Sequence, residues 1–303
     1  MGTKINLSKA DRVFDVINLG LLLLLAFVTI YPIYFVLIAS VSDPYAVLRG
    51  EVMLWVKDFT LEPYKNVFAN KMIWTGYLNS IINTVILVAY NLALTIPAAY
   101  VMTRKELKGR KVLTWFFMIT MYFGGGMVPS YLLIRDLGLM NTRAALILPA
   151  GFSVYNMLIT RASIQSNIPG ELFDAARIDG ASPFTMFFRI VLPLSKAIIA
   201  VITLYVAVGA WNSWFPAMLY ITDKDLYPLQ YVLRGILLQN QQMTVLTTDG
   251  ITPELIEAQM RKKYMAQGMK YSVIFIASAP LLIAYPFVQK HFVTGVMIGS
   301  VKS

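Results

Sequence analysis

Ile168-Pro169-Gly170-Glu171-Leu172-Phe173-Asp174-Ala175-Ala176-Arg177-Ile178-Asp179-Gly180, continuing to Ile190-Val191-Leu192-Pro193, is a charged stretch between two long apolar ones. Pro169 suits the first position of a helix, where its missing N–H costs nothing. Gly180 sits where that helix would end and the backbone turn left-handed. Ser182-Pro183 then reads as an N-cap with a first-turn proline, opening a second helix through Phe184, Phe187 and Phe188. Pro193 is expected to break this second helix and return the chain to apolar surroundings. The result is a two-helix hook, a shape suited to being gripped by another molecule.

The flanking sequence decides what the hook is attached to. Hydrophobic residues make up 57% of the chain and charged residues 14%, with a mean hydropathy of +0.63; a soluble domain carries about a quarter charged residues. Six windows contain no Asp, Glu, Lys, Arg or His: 16–42, 72–103, 112–134, 144–160, 197–222 and 271–289. Each approaches or exceeds the ~17–25 residues that cross a bilayer as a helix. The expected fold is therefore all-α, a polytopic membrane protein with six transmembrane helices and every ionised side chain in a connection. Residues 1–15 form a short N-terminal segment and 16–303 the membrane domain, with the hook loop at 164–193 and a long outer loop at 223–270. The first apolar run exceeds a signal-peptide core of ~7–15 residues, and no small-x-small cleavage site follows it, so it reads as a retained anchor.

Net charge is +10, and its placement argues for a membrane and against nucleic acid. With both termini on the cytoplasmic side, cytoplasmic segments hold 14 Lys/Arg against 6 acids, and outer segments 12 against 10. Arg104, Lys105, Lys108, Arg110 and Lys111 crowd one short connection, as the positive-inside rule expects. There is no cysteine, hence no disulfide, thiolate or zinc-thiolate cluster, and the single His291 has no second ligand in sequence. No metal ligand set and no catalytic residue is expected.

Within the spans, Asn79 and Asn83 lie one turn apart on one face. Their amides need partners in hydrocarbon, which fits helix–helix glue or the lining of a solute path. Pro32 is tolerable inside the first span. Met121-Tyr122-Phe123-Gly124-Gly125-Gly126-Met127-Val128-Pro129 will not hold regular helix: either the helix ends there at the outer interface or the backbone breaks beside a cavity, and a helix end with some gating flexibility is the favoured reading. Tyr122, Tyr155, Asn156, Trp211, Asn212 and Trp214 are the candidate solute-path residues. An aromatic face covers the apolar side of a sugar ring while amides bond its hydroxyls, although packing for Trp211 and interfacial anchoring for Trp214 explain the same residues. Within the outer loop, Tyr227-Pro228-Leu229 opens an apolar segment and Pro253 a charged one ending at Arg261-Lys262-Lys263. A connection of that length suits docking of an external partner.

Asp174-Ala175-Ala176, three residues, Gly180, nine residues, then Ile190-x-Leu192-Pro193 resembles the EAA loop of ABC-importer permeases, with Asp in place of the usual Glu. The likeness runs through most of the chain, including Gly138 to Pro149, Trp211-Asn212-x-Trp214, Tyr227-Pro228-Leu229 and Phe292 to Val301. It is similar to the carbohydrate permeases of the MalG type, and the glycine-rich 121–129 stretch to their LplC/YtcP branch, whose members are linked to oligosaccharides from plant or algal polysaccharides. The resemblance implies a type I importer permease in a bacterial cell membrane. Its coupling helix would seat in an ATP-hydrolysing subunit through Glu171, Phe173, Asp174, Ala175, Ala176, Gly180, Phe184 and Pro193. It also implies a MalF-type second permease, two MalK-type ATPase subunits that bind ATP and Mg, and an extracytoplasmic solute-binding protein. Gly299 to Ser303 would touch the ATPase too, although the chain ends Val-Lys-Ser instead of the frequent Lys-Gly. In the maltose system the main sugar site lies on the other permease. The other readings are an ion-gradient-driven transporter, disfavoured by the absence of ionisable residues in the spans, a permease for a non-carbohydrate solute, and an intramembrane enzyme, for which no acid–base pair can be assembled.

Overall fold

The computed structural model describes residues 9–242, 264 and 268–283, and every element among them is helical or turn. The chain divides into two units, Met1–Ala69 with Leu237–Ser278, and Asn70–Ile236 with Ala279–Ser303.

The first unit is built on α1 (Lys9–Ser40), whose apolar side chains point outward along nearly its whole length. A helix that is apolar all round and packed on little protein is one whose solvent is lipid. Only its end is buried: Ile38 and Ala39 pack on Ala46 and Val47 of α2 (Pro44–Leu48) and on Val52. Tyr31 and Tyr34 donate their hydroxyls to the carbonyls of Met53 and Leu54, pinning the irregular segment after α2. Tyr64, on α3 (Glu62–Ala69), donates to Ser40 Oγ at 2.8 Å.

The second unit is organised around α4 (Lys71–Thr103), 33 residues with Pro97 inside and a cap from Asn70, whose Oδ1 accepts from the Met72 N–H. At ~1.5 Å per residue it is about 50 Å long. The other elements are α5 (Arg110–Tyr122), α6 (Met127–Asp136), α7 (Arg143–Ile147), α8 (Val154–Asn167), α9 (Gly170–Ile178), α10 (Pro183–Met186), α11 (Leu192–Leu194), α12 (Lys196–Asn212), α13 (Phe215–Tyr220) and α14 (Leu229–Gln242). Helix α14 has its residues from Leu237 on in the first unit, and a further helix, α15 (Gly268–Ile283), likewise has residues in both units. Helix α4 packs along both α12 and α8.

Helices do not map one to one onto the charge-free windows. Among the described residues, α1 and α4 alone are unbroken helices long and apolar enough to cross a membrane; counting bent pairs as single spans gives up to four. The sequence leads to an expectation of six spans, of which the described residues show two to four. Window 112–134 is two helices, α5 and α6, meeting at 108° across Phe123–Gly126, where Gly126 has φ +88°. Window 144–160 is α7 and α8 separated by a stretch containing Pro149 and Gly151, and α8 runs on past Arg161 to Asn167. Window 197–222 stops at Asn212, and α13 resumes after Ser213. Each break falls where glycine or proline withdraws an N–H or a side chain from the helix. Helix α1 begins at Lys9, so the N-terminal segment 1–15 is already helical over its last part. The last residues of window 271–289, His291, the tail from Phe292 to Ser303, and the loop calls at Pro253 and Arg261-Lys262-Lys263 lie outside the described residues.

Gly76 marks a close approach of helix to backbone in the second unit. A Cβ there would lie 3.1 Å from Leu229 Cα and 3.3 Å from its N. Because both atoms are backbone, Gly76→Val should destabilise the protein by ~1–3 kcal/mol, read as a lower unfolding temperature in detergent. Gly20→Ala, with nothing within 4 Å of its added Cβ, should leave that temperature unchanged or raise it.

Candidate functional site

The hook consists of α9, the turn through Gly180, and α10 with the residues after it. Pro169 is the residue before α9 rather than its first residue, with φ −58° and ψ 141°. Glu171 stands in the first turn and Arg177 in the last, each opposing the partial charge of its helix end. The end of α9 is a complete Schellman motif: Ala181 N–H donates to Ala176 O at 2.8 Å and Gly180 N–H to Arg177 O at 3.0 Å. Gly180 takes φ +73°, which a side chain would strain. Ser182 Oγ then accepts from Thr185 N–H at 3.2 Å, with Pro183 in the first turn of α10.

Pro193 does not end the second arm. A π-helical turn, Phe187–Val191, precedes it, and the Leu192 N–H reaches back to Phe187 O. The wider turn absorbs the missing proline donor, and the chain bends two residues later at Ser195, 77° between Pro183–Leu194 and α12.

One face of the hook is packed and the other is bare. Phe173 (9% exposed) and Ala176 turn inward with Met186 and Val191 onto Tyr100, Met102 and Met157. Glu171, Asp174, Ala175, Gly180 and Pro193 are exposed. So are Ile178 (87%), Phe184 (77%) and Phe188 (61%). Ile178 was not singled out from the sequence. Its signal was present, since it lies off the Phe173/Ala176 stripe that α9 buries and yet is branched and apolar.

The hook is fastened to the end of α4. The Arg104 guanidinium stacks 3.7 Å from the Phe173 ring centroid and 4.6 Å from that of Tyr100. Tyr100 donates its hydroxyl to Pro183 O at 3.1 Å, so the same turn of α4 holds both arms. Arg177 pairs with Glu106 and lies 3.7 Å from Asp174. A backbone hydrogen bond at Glu106 and then the Arg177 guanidinium hold the Glu106 carboxyl below its ordinary pKa. A depressed carboxylate stabilises the fold above its unfolded pKa and loses that contribution as pH falls through the lower folded value. Glu106 is exposed, so this tie is minor beside the stack. A cavity of about 370 Å³ lies beside it, walled by Arg104, Lys105, Glu106, Gln165, Asp174 and Arg177 among others.

Near the other end of α4 is a polar node that the sequence reading did not anticipate. Arg143 Nη2 donates to Asn79 Oδ1 at 2.6 Å and Nη1 to Asn83 Oδ1 at 3.1 Å. Asn79 Nδ2 donates in turn to Asp225 O at 2.7 Å and Tyr227 O at 2.9 Å. The two asparagines therefore tie connecting segments to α4. Below them is a cavity of about 110 Å³ lined by Ser80, Asn83, Leu146, Gly209, Ser213 and Pro228 among others.

The solute-path candidates are dispersed. Trp211 is buried beside Tyr77, ring centroids 5.9 Å apart. Trp214 carries Arg234 on its face at 3.5 Å. Asn212, Tyr122 and Tyr155 are exposed, and Asn156 is buried at the start of α8. None of the six walls the 110 Å³ cavity, which uses their neighbours Gly209, Ala210 and Ser213. Among the described residues no three His, Asp or Glu gather as a metal site.

The profile of the family described as "Binding-protein-dependent transport system inner membrane component" matches residues 73–298. The chain is 39% identical to "Protein LplC" of Bacillus subtilis (strain 168), over 97% of each chain. It is 36% identical to the "Polygalacturonan/rhamnogalacturonan transport system permease protein YtcP" of the same organism, over 96% of this chain and 99% of that one. Its structure is similar to a chain from a bacterial ABC transporter "involved in the import of the acidic polysaccharide alginate", with TM-score 0.83, 30% identity, and coverage of 95% of this chain and 100% of the other.

Removing the stack should loosen the hook without unfolding the bundle. Arg104→Ala loses a desolvated cation–π contact worth ~1–2 kcal/mol. Amide exchange over 170–179 should then quicken about 5- to 30-fold, while exchange in the middle of α4 stays unchanged.

Proposed function

The chain belongs to the family of binding-protein-dependent transport system inner membrane components, and from that premise we propose that it is one of two membrane subunits of an ATP-driven importer for an oligosaccharide released from a polysaccharide. The observation that carries this reading is the hook: a stiff, capped helix pair with a bare apolar face of Ile178, Phe184 and Phe188, fastened to a helix long enough to cross a membrane. That bare face is the surface a nucleotide-hydrolysing partner would grip. Two such ATPase subunits of the MalK type hold ATP and Mg, a MalF-type permease supplies the other half of the pathway, and an external binding protein delivers the solute. This chain does no chemistry. Its termini and the hook lie on the cytoplasmic side, and the 223–270 loop faces the binding protein.

In this mechanism, closure of the ATPase pair moves the hook as a lever. Moving a two-state equilibrium from 1:99 to 99:1 takes about 5.5 kcal/mol of differential binding. A hook that bent freely would dissipate that difference. The Schellman end at Gly180, the Ser182 cap, the Arg104–Phe173 stack and the Tyr100–Pro183 bond each remove a soft degree of freedom between the gripped face and α4. The solute class follows from the names of the relatives, and a residue at the far node agrees with it. Arg143 meets two amides and, among the described residues, no carboxylate. It is the group that would meet a uronate carboxylate entering beside the small cavity.

The test is uptake of labelled oligogalacturonate by cells whose own copy is deleted and replaced. Gly180→Val should abolish uptake and ATPase stimulation while the ATPase subunits still copurify. Wild-type uptake by Gly180→Val would end the lever reading, and failure of any ATPase subunit to copurify with the unaltered chain would end the importer reading.

A further inference from the structure

At the hook end of the second unit, three charge-free windows are bordered by cations: 72–103 by Arg104, 112–134 by Arg110 and Lys111, and 144–160 by Arg161. The fold gathers these borders. Helix α8 packs on α4 and on α5, and Arg110 Nη1 donates to Arg104 O at 3.5 Å. Arg104 has a partner for its guanidinium face in Phe173 and Tyr100. Arg161 has none. It is half-buried, its Nε is sealed from solvent, and it meets no acceptor among the described residues. The like charge of Arg110 acts on it.

A sealed N–H donor left without an acceptor costs about 1–3 kcal/mol, which an anion reaching this guanidinium would recover. Among the described residues no carboxylate is paired with Arg161. Glu106 and Asp174 are engaged by Arg177, and Glu171 and Asp179 are exposed on the hook. Residues 1–8 and 284–303 contain no Asp or Glu. We propose that Arg110 and Arg161, flanked by Lys111, bind the phosphate of an anionic phospholipid headgroup. The depth of the site favours lipid over an acidic protein partner. All three cations sit where an apolar window ends, the level of the headgroups, whereas the apolar face left for a protein is on the hook. Guanidinium forks match phosphate oxygens two at a time, and their aliphatic stems lie along the apolar helix below. Basic pockets between spans are known to hold anionic headgroups in this manner.

The full chain in neutral detergent, titrated with phosphatidylglycerol, phosphatidylcholine or inorganic phosphate and followed by native mass spectrometry, tests the site. Phosphatidylglycerol should be retained and phosphatidylcholine and inorganic phosphate should not. Arg161→Gln and Arg110→Gln should each weaken retention about fivefold, whereas Arg49→Gln, whose partner is Glu51, should not. Arg110 decides the matter if Arg161→Gln fails to fold. Equal retention by the wild type and either folded variant overturns the proposal. So does inorganic phosphate bound as tightly as lipid, which makes a free-anion site, or unchanged lipid retention with loss of ATPase copurification, which makes a protein contact.

Discussion

The cation of Arg104 lies over the rings of Phe173 and Tyr100, and this contact joins the hook to the long helix. A cation over an aromatic face is worth ~0.5–1 kcal/mol when exposed and ~2 or more when desolvated. Here Arg104 Nε is sealed from solvent, which places the contact in the stronger regime. Tyr100 serves twice, as the second face of the stack and as the donor to Pro183 O in the other arm. One turn of α4 therefore adds directional ties to two arms already packed together through Phe173, Ala176, Met186 and Val191. A surface ion pair such as Glu106–Arg177 could not replace this, because its strands of flexible side chain remain in water.

The same long helix solves a different problem away from the hook. Wherever a helix breaks in an apolar environment, its freed N–H and C=O groups must be satisfied by protein. Buried polar side chains of α4 do this at two breaks. Asn91 Nδ2 donates to Gly151 O at 3.0 Å, in the gap between α7 and α8. Asn79 Nδ2 donates to the carbonyls of Asp225 and Tyr227, and Ser80 Oγ accepts from Leu229 N–H at 2.9 Å, in the segment between α13 and α14. Thr95 donates to Asn91 Oδ1 at 3.2 Å, fixing the orientation of that amide. The amides of α4 thus bind broken backbone as well as neighbouring helices.

This explains what could be read from the sequence and what could not. The hook was legible because its signals are local: a glycine at the left-handed position, a serine before a proline, acid first and base last. The family resemblance rests on the same residues. Straightness of the spans was not legible. Absence of charge measures how much chain can sit in hydrocarbon, but it says nothing about where that chain bends, and apolar windows have no polar face whose period could betray a change of axis. Gly124-Gly125-Gly126 gave a helix end correctly; the new helix at 108° depended on tertiary packing. Pro193 misled by two residues because a π turn, which has no sequence signature, took up its missing donor. Arg143 was overlooked as the partner of Asn79 because it stands 64 residues away and just outside a charge-free window.

The two polar ends of α4 lie about 38 Å apart, 25 residues at ~1.5 Å each, and they differ in kind. At the Asn79 end, the guanidinium of Arg143 and two carbonyls converge on one amide, so those three bonds depend on one rotamer, with only Arg143–Asn83 and Ser80–Leu229 beside them. At the Arg104 end, the stack, the Tyr100 hydroxyl and the capped turns act through separate groups, and losing one leaves the others. An end built from separate contacts resists bending under load, whereas an end in which bonds share one side chain can release as a unit. In the proposed mechanism, such an arrangement would suit a rod pushed at its fastened end to open a latch at the other. On the proposed importer reading, the exposed apolar face of the hook, and not the cavity near Asn79, is where the driving free energy would enter this chain.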